Sequence, residues 1–102
     1  MGDFKVELLA PAALDFESVA QKHLMLSGVQ SAEKITNRIM SALEQLEKFP
    51  QSGLLLPDSE LNAQGYRMIV CGNYLVVYRL NGNTVFVYHI ADGRMDYPKL
   101  FK

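Results

Sequence analysis

The chain has 102 residues, a formal net charge of −1 and one cysteine, Cys71. That length suits one domain with one core, and a lone cysteine excludes an internal disulfide or a multi-cysteine zinc site. No basic, then apolar leader opens the sequence and no apolar stretch approaches the roughly 18 residues that span a bilayer, so a soluble cytoplasmic protein is expected.

The near-neutral total conceals an asymmetry. Residues 1–65 carry five basic and nine acidic side chains, whereas residues 66–102 carry Arg67, Arg79, Arg94, Lys99 and Lys102 against Asp92 and Asp96. Any acidic partner or polyanion is therefore expected on the last third.

Phe4 to Leu9 alternate apolar and charged residues, the period of a half-buried strand. Pro11 suits the first turn of a helix, and Ala13, Phe16, Val19, Ala20 and Leu24 recur at helical spacing until Ser27-Gly28. Ser27 with Gln30 has the spacing of a capping box, with Ser31 as a rival cap. A second stripe follows at Ala32, Ile35, Ile39, Ala42, Leu43, Leu46 and Phe49, ending at Pro50. So short a link makes the two helices an antiparallel hairpin, with a sheet under their apolar faces. Residues 50–65 are rich in Gly, Pro, Ser, Asp and Asn around Leu54-Leu55-Leu56, and are expected to form a long loop whose leucines either fold over the edge of the core or help form a groove for a partner.

Three strands are expected next, over 66–71, 74–80 and 83–91, joined by two-residue turns at Gly72-Asn73 and Asn81-Gly82. These turns place Arg67 opposite Tyr78, Tyr78 opposite Val85 and Tyr74 opposite His89. One face then holds Arg67, Ile69, Tyr74, Val76, Tyr78, Val85, Val87 and His89; the other holds Met68, Val70, Leu75, Val77, Arg79, Phe86, Tyr88 and Ile90. Both are mostly apolar, which predicts helices on one side and further cover, a protein partner or a groove, on the other. The fold class is α+β.

Walker, GxGxxG, HExxH, CxxC and GxSxG signatures are absent from the sequence, so neither a metal nor a nucleotide cofactor is expected. What remains is a basic and hydroxyl-bearing set at the end of the sheet: Arg67, Arg79, His89, Arg94, Tyr97 and Lys99. Guanidinium groups grip phosphates, and a Tyr, His or Lys can move a proton at a ribose 2′-hydroxyl, so metal-free RNA cleavage is chemically open to such a set.

The order of elements, together with YRMIVCGNYLVVYRLNGNTVFVYHIADGRMDYPKLF at 66–101, resembles the RelE/ParE superfamily of toxins from bacterial type II toxin–antitoxin systems. Its specific parts are Arg67, the run from Tyr74 to Arg79, Gly93-Arg94, Asp96, Pro98 and Leu100-Phe101. The resemblance implies two helices on a twisted, mainly antiparallel sheet, and a cognate antitoxin that forms a hetero-oligomer with the toxin. The resemblance matches Arg67, Arg94 and Tyr97 to positions of the RelE-like branch, which cleaves mRNA on the ribosome; there Arg67 and Arg94 would bind phosphate and Tyr97, His89 or Lys99 would handle protons, with Arg79, His89 and Lys99 expected as target or nucleic-acid contacts. The ParE-like branch poisons DNA gyrase instead. Leu75 and Ile69 stand where RelE-like proteins carry basic residues. The tail Asp92-Gly93-Arg94-Met95-Asp96 is similar to a ParE-like His-Gly-Arg-Arg-Asp with one histidine and one arginine replaced. The ParE-like branch is therefore the expectation, with the ribonuclease and a non-toxic antitoxin binder as alternatives.

Overall fold

The computed structural model describes residues 3–101; Lys102, counted above among the basic residues, lies outside them. Nine elements follow one another: β1 (Lys5–Leu8), α1 (Ala10–Ser27), α2 (Val29–Lys48), β2 (Leu54–Leu55), α3 (Ser59–Ala63), β3 (Arg67–Cys71), β4 (Tyr74–Asn81), β5 (Thr84–Asp92) and a final 3-10 turn (Tyr97–Phe101). The strands form one sheet in the order β1-β5-β4-β3-β2, with β1 parallel to β5 and the other pairs antiparallel. This is the expected α+β arrangement of a helical hairpin on a mainly antiparallel sheet. No described helix is long and apolar enough to cross a membrane.

The hairpin closes on one residue. Gly28 at φ +93° donates its N–H to Leu24 O at 3.1 Å, ending α1, and its carbonyl accepts from Ala32 at 3.2 Å, starting α2. The expected serine caps are not used. Neither Ser27 nor Ser31 caps α2, and the Ser31 hydroxyl instead meets His23 Nδ1 at 2.9 Å. In α2 the stripe holds from Ile35 to Leu46, whereas α1 buries Ala12 and Val19 and leaves Ala13 and Leu24 exposed. Phe49, the last residue of the expected stripe, is also exposed.

The 50–65 segment is more ordered than its composition suggests. Leu54 and Leu55 add β2 to the edge of β3, Asp58 caps α3 by accepting from Leu61 N–H at 3.1 Å, and Leu56 and Leu61 are buried. Leu54 and Leu55 remain exposed. The far face of the sheet is thereby covered by the chain itself: Leu56, Leu61, Tyr66, Leu75 and Val77 form a second core, joined by Tyr88, Tyr97 and Phe101. The first core lies between the helices and Tyr74, Val76, Tyr78, Val85, Val87 and Ile90.

Both hairpin turns are Gly-Asn. Cys71 pairs with Tyr74 around Gly72-Asn73, as expected, but Asn81 pairs with Thr84, so the second loop is Gly82-Asn83 rather than Asn81-Gly82. Gly72 and Gly82 have φ of +61° and +66°, while neither asparagine has positive φ. That is the type II′ pattern, which needs glycine first. Arg67 does pair with Tyr78, but Tyr78 pairs with Val87 and Tyr74 with Asp92. A bulge between Val77 and Tyr78 adds one residue on β5, which puts Ile90 opposite Val76 and moves His89 opposite Val77. The apolar isoleucine takes the core position that uninterrupted alternation gives to the histidine.

Beyond Leu9, whose N–H donates to Val87 O at 3.0 Å, the outer side of β5 is met by α1, where Asp15 Oδ2 accepts from the Ile90 N–H at 2.9 Å and from His89 Nδ1 at 3.0 Å. Asp15 thus substitutes for a missing strand. Asp15→Ala strands that amide and is expected to cost about 1–3 kcal/mol in urea unfolding; a change below a few tenths contradicts this account.

Candidate functional site

The six side chains picked from the sequence fall into separate environments. Arg67, at the start of β3, donates from Nη1 to Gly53 O at 2.8 Å and to Gln51 O at 3.3 Å, so its guanidinium fastens the turn before β2. The Gly53 N–H in turn donates to the Tyr78 hydroxyl at 2.9 Å. By sheet register, Arg67 is level with Tyr78 and Val87, five residues short of Asp92 on β5. At about 3.3 Å per residue it therefore sits roughly 16 Å along the strands from the Arg94 end.

Arg79 lies between two tyrosines. Its guanidinium carbon is 5.0 Å from the Tyr66 ring centre and 5.7 Å from that of Tyr88, and Nη2 donates to the Tyr88 hydroxyl at 3.3 Å. These are cation–π distances. Phe101 completes the cluster, with ring centres 5.0 Å from Tyr66, 6.1 Å from Tyr88 and 5.5 Å from His89. His89, oriented by Asp15, and Tyr97 border the same cluster. Arg79 and His89 therefore each meet an aromatic ring of this cluster and Tyr97 packs on the second core, while Arg67 bonds to carbonyls elsewhere.

Arg94 is 79% exposed on the tail, yet its side chain folds back on Asp92: Nε donates to Oδ1 at 3.0 Å and Nη2 to Oδ2 at 2.8 Å. The Arg94 backbone N–H also donates to Oδ1 at 2.9 Å. These hydrogen bonds hold the Asp92 carboxyl far below the usual carboxylate range. Lys99 makes only a long 3.8 Å contact with Asp96, and both are exposed. Among the described residues no cluster of His, Cys, Asp and Glu could hold a metal ion.

Several participants were not picked from the sequence. Asp15 orients His89 from α1, and His23 bridges Ser31 and the Tyr74 hydroxyl, the latter at 3.1 Å. Tyr66 and Tyr88 hold Arg79. Asp15 and His23 reach His89 and Tyr74 across 74 and 51 residues, separations that no local pattern signals.

Burial pushes the phenols of Tyr66, Tyr74, Tyr78 and Tyr97 and the Cys71 thiol above their ordinary values. Folding thus favours their neutral forms, and the unfolded chain releases these protons first as pH rises past about 8.5 for cysteine and about 10 for tyrosine. Their contribution is complete below those values and is lost as pH climbs through the folded ones. Melting temperatures are expected to fall steadily above pH of about 10; a rise there contradicts the burial account.

A family profile described as "ParE toxin of type II toxin-antitoxin system, parDE" matches residues 6–97. "Toxin ParE3" of Caulobacter vibrioides (strain ATCC 19089 / CIP 103742 / CB 15) is 34% identical over 86 residues, covering 84% of this chain and 83% of that protein. A solved structure titled "Chromosomal ParDE TA system from P. aeruginosa" shares the fold, with a TM-score of 0.72 at 18% identity over 87% of this chain and 95% of that one. The chain belongs to the ParE toxin family of type II toxin–antitoxin systems.

Proposed function

We propose that this toxin acts by binding proteins rather than by cutting RNA: a cognate antitoxin holds it in the resting state, and released toxin poisons DNA gyrase in the cytoplasm. The observation that carries this reading is the commitment of the three arginines of the sheet and tail. Arg67 is spent on backbone carbonyls, Arg79 on two tyrosines and Arg94 on Asp92. A metal-free ribonuclease needs cations converging on one phosphate beside a proton carrier, and a basic face dense enough to hold RNA. These arginines do not converge, and the total charge is −1.

The test is gyrase-catalysed supercoiling with purified toxin, with and without its antitoxin. Toxin alone is expected to inhibit supercoiling and trap gyrase-dependent DNA breaks, and antitoxin is expected to reverse both. Active gyrase at a large toxin excess overturns the target assignment. Failure of the antitoxin to reverse a real inhibition overturns the partner assignment.

A further inference from the structure

The tail leaves the sheet at Gly93, whose N–H donates to Asn73 O at 2.7 Å. Among the described residues, none from 94 to 101 makes a hydrogen bond or ion pair to anything before Asp92. The Met95 N–H bonds to Asp92 O, the Tyr97 N–H to Met95 O and the Lys99 N–H to Asp96 O, so the backbone bonds stay local. The charged side chains do the same, Arg94 turning back on Asp92 and Lys99 on Asp96. Side-chain packing alone therefore seats this segment.

The seat is incompletely filled on both sides. Tyr97 and Phe101 rest on the second core, with the Phe101 ring centre 5.0 Å from that of Tyr66 and 5.5 Å from that of His89. A cavity of about 100 Å3 separates the 3-10 turn from α3, lined by Leu61, Tyr66, Pro98, Phe101 and the carboxylates of Asp58 and Glu60. Neither carboxylate pairs with a tail cation. Opposite, a cavity of about 190 Å3 lies between α1 and the pair Met95 and Leu100, which stay 49% and 38% exposed. No residue of the 3-10 turn is buried. Such gaps forfeit dispersion contacts, and a segment with few buried contacts opens at a lower free energy than the whole domain.

We propose that residues 94–101 form a strap that opens as a unit about Gly93 while the rest of the fold stays closed, and that its opening bares a cationic aromatic surface of Arg79, Tyr66, Tyr88 and His89. Phe101 is the catch, because it is the tail side chain that meets three of those rings' neighbours at once: Tyr66, Tyr88 and His89. The Arg94 clamp on Asp92 fixes the bend from which the strap swings back to its seat. A partner that reads this surface binds the open state alone, so its affinity is reduced by the closed fraction.

The test is NMR of the full-length protein, reading the Tyr66, Tyr88 and His89 ring signals against the Val76 and Val85 methyl signals of the first core. Relaxation dispersion, which reports opening on microseconds to milliseconds, is expected at the tail and the three rings and not at Val76 or Val85. Phe101→Ala is expected to raise the open population about tenfold or more. Arg94→Ala, which loosens the bend without touching the seat, is expected to raise it about threefold. Tyr97→Ala combined with Phe101→Ala is expected to move the three ring signals to the minor-state positions found in the wild type, with Val76 and Val85 unmoved. Flat dispersion at all three rings overturns the inference. So does a Phe101→Ala or double variant that unfolds, or whose Val76 and Val85 signals shift with the rings, because the tail would then belong to the cooperative core.

Discussion

Gly53→Ala is expected to lower the melting temperature by roughly 15 °C, taking about 3 kcal/mol of lost stability at about 4–8 °C per kcal/mol for a domain of this size. A methyl group at Gly53 would stand 2.6 Å from Met68 O, 2.6 Å from the Tyr78 hydroxyl and 3.0 Å from its ring. The first of these is backbone inside the β2–β3 ladder and cannot turn aside. Relief requires the segment to move, and that breaks the Gly53 N–H bond to Tyr78 and pulls the Gly53 carbonyl from Arg67. The cost combines overpacking with loss of a buried hydrogen bond, each about 1–3 kcal/mol. A wild-type melting curve by circular dichroism contradicts the lock described here.

Tyr78 tests the same lock from the other side, with the larger effect. Its side chain is fully buried at the centre of the sheet, under the helices. Tyr78→Ala is expected to cost about 3–5 kcal/mol, against a total stability of about 5–15 kcal/mol for a domain of this kind. Much of the protein is then expected to be unfolded in low urea. Tyr78→Phe keeps the ring and removes only the acceptor for Gly53 N–H, so about 1 kcal/mol is expected. Because Gly53 and Tyr78 touch, Gly53→Ala combined with Tyr78→Phe should cost less than the two separately. Strict additivity in urea titrations contradicts the coupling.

The helical hairpin, the three C-terminal strands and the first Gly-Asn turn were legible in the sequence because each is written in local pattern: a 3.6-residue stripe, alternation and a glycine at the turn. The second turn was misplaced by one residue because Asn81-Gly82-Asn83 contains two good turn dipeptides, and pattern alone does not choose between them. The bulge at Tyr88 was not legible. It is favoured by keeping Ile90 in the core and by bonds from Ile90 and His89 to Asp15, 75 and 74 residues away. The segment 50–65 read as a loop because α3 is five residues long and β2 two, too short to show a period.

The candidate site illustrates a different limit. Sequence identifies an arginine but not what it touches. Arg67 meets carbonyls 14 and 16 residues away, Arg79 is enclosed by Tyr66 and Tyr88, and only Arg94 finds its partner locally, two residues back. The Asp92 that replaces a histidine of the resembled tail is the residue that occupies Arg94. The three arginine environments differ in ways that composition does not show.

That distinction is also the one to measure most directly. Purified toxin added to a translating extract, with mRNA ends mapped by primer extension, is expected to leave transcripts full length at concentrations that inhibit gyrase. Cuts at codon positions that depend on the toxin and vanish with Arg94→Ala would contradict the account, because they would require Arg94 to leave Asp92 and act on phosphate.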